Sequence, residues 1–279
     1  MNIITVNVGQ GALSIVRHNK EALIVDSRIP PSDDKTVCYV KEMLAVSLKD
    51  HRVKGLILTG FDSDHADVTG IGIILLKYRP DWVMYPKYYK ESEEAKLVFG
   101  LISDQEKIRR SSSNPLSRIS VRLDRLEHRQ LTGLSSNFEF ELFSPHIEDM
   151  NCSNNCSIVL KLTGIGNGGF TYLITGDTEN GRWEAISRFF GQALKAHVLA
   201  APHHGSKNSV HPESLLHIDP HTVLISAGVD NQYGHPAFEA LKVYKRVAKY
   251  VYSTNMQNGV SLLTRTGPTE ITTTFIPNK

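Results

Sequence analysis

Short apolar runs rich in β-branched residues recur along the chain between Gly, Pro and Asp breaks. Two stretches of that kind flank a more polar middle. Ile3 to Val8 predicts a first strand, closed by the Gly9-Gln10-Gly11 turn; Ala12 to Val16 and Ala22 to Asp26 predict the next two, the last running into Pro30-Pro31. The period then changes. Val37, Val40, Met43, Leu44 and Leu48 fall on one face of a helix over Thr36 to Leu48. Val53 to Thr59 reads as a buried strand, Val68 to Lys77 as a helix and Asp81 to Tyr85 as a short strand. Residues 87–113 are polar and predict helix. Strands follow at 120–123, 138–143, 157–162 and 170–175, then a helix over Arg182 to Phe190 with Trp183, Ile186 and Phe190 inward. The last third gives strands at 198–201 and 222–226, a helix over 238–248, and strands at 250–254, 259–264 and 270–275.

Each half thus runs strands, helix, strand, with no exact internal repeat. The expectation is a single α/β domain over residues 1–279, carrying a helical insertion around residues 87–130. Composition changes this little. Hydrophobic residues at 41% and charged residues at 22% describe an ordinary globular chain and exclude a disordered one. A net charge of +2 is silent about nucleic acid, whose footprint is a local patch. Cys38, Cys152 and Cys156 form no disulfide framework and no metal knuckle. The first residues lack a basic segment followed by an apolar core, so no signal peptide is expected. No apolar run approaches the roughly 20 residues of a membrane span. The expected location is the cytoplasm, with no membrane partner.

Candidate chemistry sits where the strands end. "GLILTGFDSDH" puts Asp62, Asp64 and His65 just after one strand, "YLITGD" puts Asp177 after a second, and "VLAAPHHGS" puts His203 and His204 after a third. Strands fix a side chain's position, and the loop beyond lets several converge. Imidazole and carboxylate together suit zinc, iron or manganese. Such an ion makes water a usable nucleophile, and a carboxylate such as Asp177 can bridge two ions about 3.5–4 Å apart. Asp-x-Asp-His alone is a common solvated turn. Adjacent histidines framed by Pro and Gly have little use in a core, and the three strings together point to a metal site.

The succession "NVGQG", "IVD", "DSDH", "NNCSIVLKL", "YLITGD", "APHHGSKNS" and "YGHP" resembles the metallo-β-lactamase-like domain of ComEC-type competence proteins, and phosphorylcholine esterases carry a related active-site string. The likeness runs from Asn7 to about Gly259. It implies a four-layer αβ/βα sandwich and metal-dependent phosphodiester hydrolysis, most plausibly of nucleic acid, with zinc or manganese in one or two positions. Carried over, Asp64 and His65 bind one ion, Asp62 helps bind another, Asp177 bridges, and one of His203 and His204 completes the first position while the other faces substrate. His235 lies near the phosphate, and Asn154 stands roughly where other members have a further histidine. The resembled string HxDxDH begins here with Gly60, which offers no ligand. Three outcomes stay open: one working ion; a weak second ion through Asp62 and Asp177; or a degenerate binding or regulatory subunit without catalysis. The expected catalytic residues are Asp64, His203 and His235.

Lesser features qualify the picture. Lys207 and Ser206 follow the histidine pair and are candidates to touch substrate, with His235. Asp26 ends a strand, as an acceptor behind a metal-bound histidine does. The Gln10 turn reaches the same edge. Lys107, Arg109, Arg110, Arg118, Arg122, Arg125 and Arg129 form a basic stretch able to draw nucleic-acid phosphates, and Tyr88 and Tyr89 beside Lys87 and Lys90 could add stacking. A protein partner from a multi-component system is a further expectation, and the oligomeric state is open.

Overall fold

The structure is a computed structural model describing residues 1–30, 34–87, 91–166, 169–267 and 270–277; Pro31, Tyr88, Tyr89 and Lys90 lie outside the described residues. Six strands build the first sheet: β1 (Asn2–Thr5), β2 (Ser14–His18), β3 (Glu21–Val25), β4 (Arg52–Ile57), β5 (Trp82–Pro86) and β6 (Ser117–Val121). Seven build the second: β7 (Arg129–Leu131), β8 (Phe138–Ser144), β9 (Val159–Gly164), β10 (Thr171–Ile174), β11 (Val198–Ala200), β12 (Thr222–Ile225) and β13 (Tyr250–Ser253). The chain then returns to the first sheet as β14 (Val260–Thr266) and β15 (Ile271–Pro277), giving the orders β15-β14-β1-β2-β3-β4-β5-β6 and β13-β12-β11-β10-β9-β8-β7. Pairing is parallel from β3 to β6 and from β10 to β13.

Alternation along the strands sorts side chains into layers. Leu23 and Val25 of β3 face the second sheet, and Phe138, Phe140 and Leu142 of β8 with Tyr172 and Ile174 of β10 answer them. The opposite faces need helices. Ala22 and Ile24 pack with Val40 and Leu44 of α1 (Asp34–Leu48), Ile71 of α2 (Val68–Ile73) and Val98 and Ile102 of α3 (Glu93–Arg109). Leu173 and Val223 pack with Trp183 and Ile186 of α4 (Asn180–Phe190), Leu215 of α5 (Pro212–Ile218) and Ala240 and Tyr244 of α6 (Phe238–Val247). Helix, sheet, sheet, helix is the four-layer arrangement expected. No helix among the described residues is long and apolar enough to cross a membrane.

The stretch 87–130 holds α3, as the polar periodicity predicts, but also supplies the edge strands β6 and β7 on either side of the sandwich. Most of its basic residues are engaged. Arg109 is 1% exposed and its guanidinium is held by the carbonyls of Pro80 and Asn114. Arg118 pairs with Glu106, Arg122 with Asp124, Arg125 and Arg129 with Glu127, and Lys107 with Asp104. Those pairs offset much of the positive charge of the stretch.

Close packing between sheets makes one glycine indispensable. A Cβ on Gly55 of β4 would lie 2.2 Å from the Trp82 ring on the neighbouring strand. The Trp82 indole cannot swing away, because it is 4% exposed and its N–H donates to the Leu134 carbonyl. Gly55→Ala is therefore expected to destabilise the fold by about 1–3 kcal/mol, read as a lower urea midpoint with an unchanged slope.

Candidate metal centre

The carboxyl ends of the parallel strands meet at one edge of the sandwich, the usual place for sites in open α/β sheets. The loop after β4 carries Asp64 and His65. It is clamped by backbone hydrogen bonds: the Ala12 N–H to the Asp64 carbonyl and the Ser27 N–H to the His65 carbonyl, both 2.8 Å. The first strand turn comes so near that a Cβ on Gly11, itself at φ +132°, would sit 2.7 Å from that Asp64 carbonyl. Asp177 follows β10, its N–H donating to the Ser157 hydroxyl at 3.0 Å. The histidine pair follows β11, tied to the Asp177 turn by the His203 N–H to the Gly176 carbonyl at 3.0 Å.

Four side chains converge. Ligand atoms of Asp64, His65, Asp177 and His204 all lie within 4.8 Å of one another. His65 Nε2 is 2.8 Å from Asp177 Oδ1, and His204 Nε2 is 3.3 Å from Asp64 Oδ2 and 3.8 Å from Asp177 Oδ1. His65 Nε2, His204 Nε2 and Asp177 Oδ1 are nonetheless buried without a hydrogen-bond partner. Buried polar atoms rarely stay unsatisfied, and three orphans aimed at one point fit a cation. Two imidazole nitrogens and two carboxylates are the donors that zinc, iron or manganese takes.

The opposite side of each ring is fixed. His65 Nδ1 faces Asp26 Oδ2 at 2.9 Å, and Asp26 is itself held by the N–H and hydroxyl of Thr59. His204 Nδ1 donates to the Ser226 carbonyl at 2.8 Å, just past β12. Each contact puts the proton on Nδ1 and leaves the Nε2 lone pair for a ligand. Asp26 (φ 58°), His203 (φ 49°) and His204 (φ 55°) all adopt the left-handed backbone region, which costs a non-glycine residue energy and clusters at functional sites. Asp26→Asn is expected to weaken metal binding about 10- to 100-fold with the fold intact, measured by competition with a chelator.

The local charges answer one another. Burial opposes ionisation of Asp64 and Asp177, but the His65 and His204 charges outweigh it and hold both carboxyls below their usual range. Burial likewise opposes charge on His65, and Asp177, Asp26 and Asp64 raise it well above the ordinary imidazole value. An ion binding here displaces those protons.

Other expected residues stand around the four. A cleft of about 710 Å³ opens over them, lined among others by Gln10, Asp62, Asn154, His203 and His235. Both histidines of the pair line the cleft, but His203 is the more open one, with 23% of its side chain exposed against 3% for His204 and its Nε2 3.7 Å from Asp177 Oδ2. The His235 ring lies 5.7 Å from that of His203. Asp62 lies outside the four-residue group and accepts the Ser153 hydroxyl at 2.6 Å. The Asn154 amide nitrogen is committed to Glu179 at 2.9 Å. Ser206 and Lys207 are placed elsewhere: Ser206 is 4% exposed and caps the next turn by accepting the Asn208 N–H, Lys207 points to solvent, and neither lines the cleft. Arg28 and Tyr233 also line the cleft, with no candidate role in the sequence. Arg28 donates to the Ser63 carbonyl and Asp67, bracing the Asp64 loop, and Tyr233 is 60% exposed with its ring stacked on His235 at 5.9 Å. A lone arginine after Asp26 gives no signal, whereas the tyrosine beside "GHP" could have been picked out.

No model of a known protein family matches the chain. It is similar to ComE operon protein 3 of Bacillus subtilis, 31% identical over 210 residues that cover 75% of this chain and 24% of that protein. The chain thus spans about a quarter of that relative's length. Among solved structures it is similar to Igni18, described as a novel metallo hydrolase from the archaeon Ignicoccus hospitalis, with a TM-score of 0.51 at 11% identity, covering 98% of this chain and 99% of that one. A putative zinc-dependent hydrolase of the metallo-β-lactamase superfamily from Thermotoga maritima aligns more loosely, with a TM-score of 0.36 at 10% identity, covering 84% of this chain and 78% of that one. Strand order and layering make the chain a four-layer αβ/βα sandwich, and the full-length likeness to Igni18 shows that the two share a fold.

Proposed function

We propose that the chain is a metal-dependent hydrolase of phosphodiesters, with nucleic acid as the substrate class and one zinc or manganese ion held by Asp64, His65, Asp177 and His204. The observation that carries this reading is the convergence of three buried, unpartnered donor atoms at the floor of an open cleft. A single ion is favoured because Gly60 brings no side chain and Asp62 lies outside the group of four converging ligands. The ion, when bound, supplies Lewis acidity and lowers the pKa of a coordinated water.

The chain's own residues do the rest. Asp26 and the Ser226 carbonyl hold the two ligand rings in register. Asp64, partly exposed at the cleft, orients the attacking water by accepting a hydrogen bond from it. His203, with Asp177 Oδ2 behind its Nε2, is placed to give a proton to the leaving oxygen. Burial, then the neighbouring His203 and His204, lower the pKa of His235, so it acts as a neutral hydrogen-bonding group. Tyr233 and its stacked partner His235 form an aromatic wall to the cleft, which favours a substrate that carries a base. The operon origin of the Bacillus relative supports a protein partner in a multi-component system.

The test is turnover of single- and double-stranded DNA, RNA and a small base-free phosphodiester with zinc, manganese or magnesium. Tyr233→Ala is expected to lower kcat/KM on nucleic acid on the order of 10- to 100-fold, the worth of a lost base stack, and to leave the base-free diester at the parent rate. No turnover of any of these substrates overturns the reading.

A further inference from the structure

At the opposite end of the first sheet, the start of β1, the turn between β2 and β3 and the residue before β4 enclose a polar surface pocket of about 200 Å³. Met1, Asn2, Arg17, His18, Asn19 and His51 line it. Strands of four to six residues separate it from the metal centre, on the order of 15–20 Å at the usual rise.

Like charges gather around it. Arg28, Arg52, Arg118, Arg122, Arg125, Arg129 and Arg182 each have a carboxylate within ion-pair distance. Arg17, Lys20, His51 and Arg265 have none among the described residues. Arg17 is half-buried, and its guanidinium is anchored by the Ser47 carbonyl at 3.0 Å. Arg17 Nε and His51 Nδ1 are buried and unpartnered. These cations also act on one another: burial and then Arg265 disfavour the charge on Arg17, while burial, then Arg17 and Lys20, disfavour it on His51, where Asp50 is the only opposing influence. Crowded like charges lower stability unless a counter-charge joins them.

We propose that this pocket binds a phosphate-type oxyanion, held by the Arg17 guanidinium and His51 with Lys20 and Arg265 at the rim. A planar guanidinium fork matches phosphate oxygens, and several cations favour a multivalent anion over a lone carboxylate. The pocket's distance from the metal centre makes it a second site, independent of the scissile bond. Its phosphate belongs either to a small phosphorylated molecule or to a nucleic-acid backbone.

Calorimetric titration of the full chain, stripped of metal by chelator so that the cleft does not compete, distinguishes the sources. The two probes are inorganic diphosphate and a short single-stranded oligonucleotide. Binding of diphosphate is expected to weaken at least about tenfold in Arg17→Gln and less in Lys20→Gln, which lies at the exposed turn and leaves the fold untouched. An oligonucleotide that diphosphate displaces assigns the phosphate to nucleic acid, and diphosphate binding alone assigns it to a small molecule. The proposal is overturned if neither probe binds, if chloride at equal ionic strength gives the same heat, or if both variants bind like the parent. Because the protein is metal-free, none of these results bears on hydrolysis at the cleft.

Discussion

Asp177→Asn is expected to release the metal and to lower phosphodiester hydrolysis by about 100- to 1000-fold or more, the scale on which losing one preorganised electrostatic partner costs catalysis. The substitution keeps the side chain's volume and removes its charge. That charge reaches three rings: Oδ1 lies 2.8 Å from His65 Nε2 and 3.8 Å from His204 Nε2, and Oδ2 lies 3.7 Å from His203 Nε2. Only 7% of Asp177 is exposed, so water offers little replacement. The carboxylate also sets the protonation of the metal-free site. Despite burial, Asp177 and its acidic neighbours raise His65 and His204 above the ordinary imidazole value. A raised folded-state pKa stabilises the metal-free protein below the ordinary imidazole range, and that contribution is lost as pH rises through the raised value. The ion takes over where the protons leave. Metal content by mass spectrometry and initial rates, with circular dichroism to confirm folding, measure the effect. A variant that keeps its ion and its rate contradicts the assignment.

Gly60→His is expected to raise metal content from one to two equivalents per chain. Nothing lies within 4 Å of a Cβ built at Gly60, so the backbone accepts a side chain there. The added ring stands two residues before Asp62, whose carboxylate lines the cleft and holds only the Ser153 hydroxyl. With Asp62 and the outer oxygen of Asp177 it supplies the donors that one position lacks. The gain is read by equilibrium dialysis against zinc and manganese. A parent chain that already binds two equivalents shows that the glycine is no obstacle, and a single ion is then the wrong account.

Much of this was legible in the chain because strand ends are. Apolar runs stop sharply before Asp62, Asp177 and Pro202, and a site built on strand ends announces itself where those runs stop. Which histidine would turn inward was not legible. His203 and His204 are adjacent, and only the left-handed backbone at both sends one Nε2 to Asp64 and the other ring to the cleft. Two elements escaped for lack of signal. The helix α5 has seven residues beginning with proline, too few for a period, and β7 is three residues of mostly polar edge strand. Lys207 and Ser206 do not line the cleft, because nearness along the chain to His204 is not nearness in space. The pairing of the basic stretch was not legible either, since Glu106, Asp124 and Glu127 meet its arginines through side-chain geometry.

The central claim is that four side chains from three strand ends hold one catalytic ion. Anomalous diffraction from crystals soaked in manganese or zinc tests it most directly. One strong peak is expected in contact with Asp64, His65 Nε2, Asp177 and His204 Nε2. The one-ion site is contradicted by crystals with no peak at that edge, or by an ion bound through Asp62 and Asn154 while His65 and His204 stay unliganded.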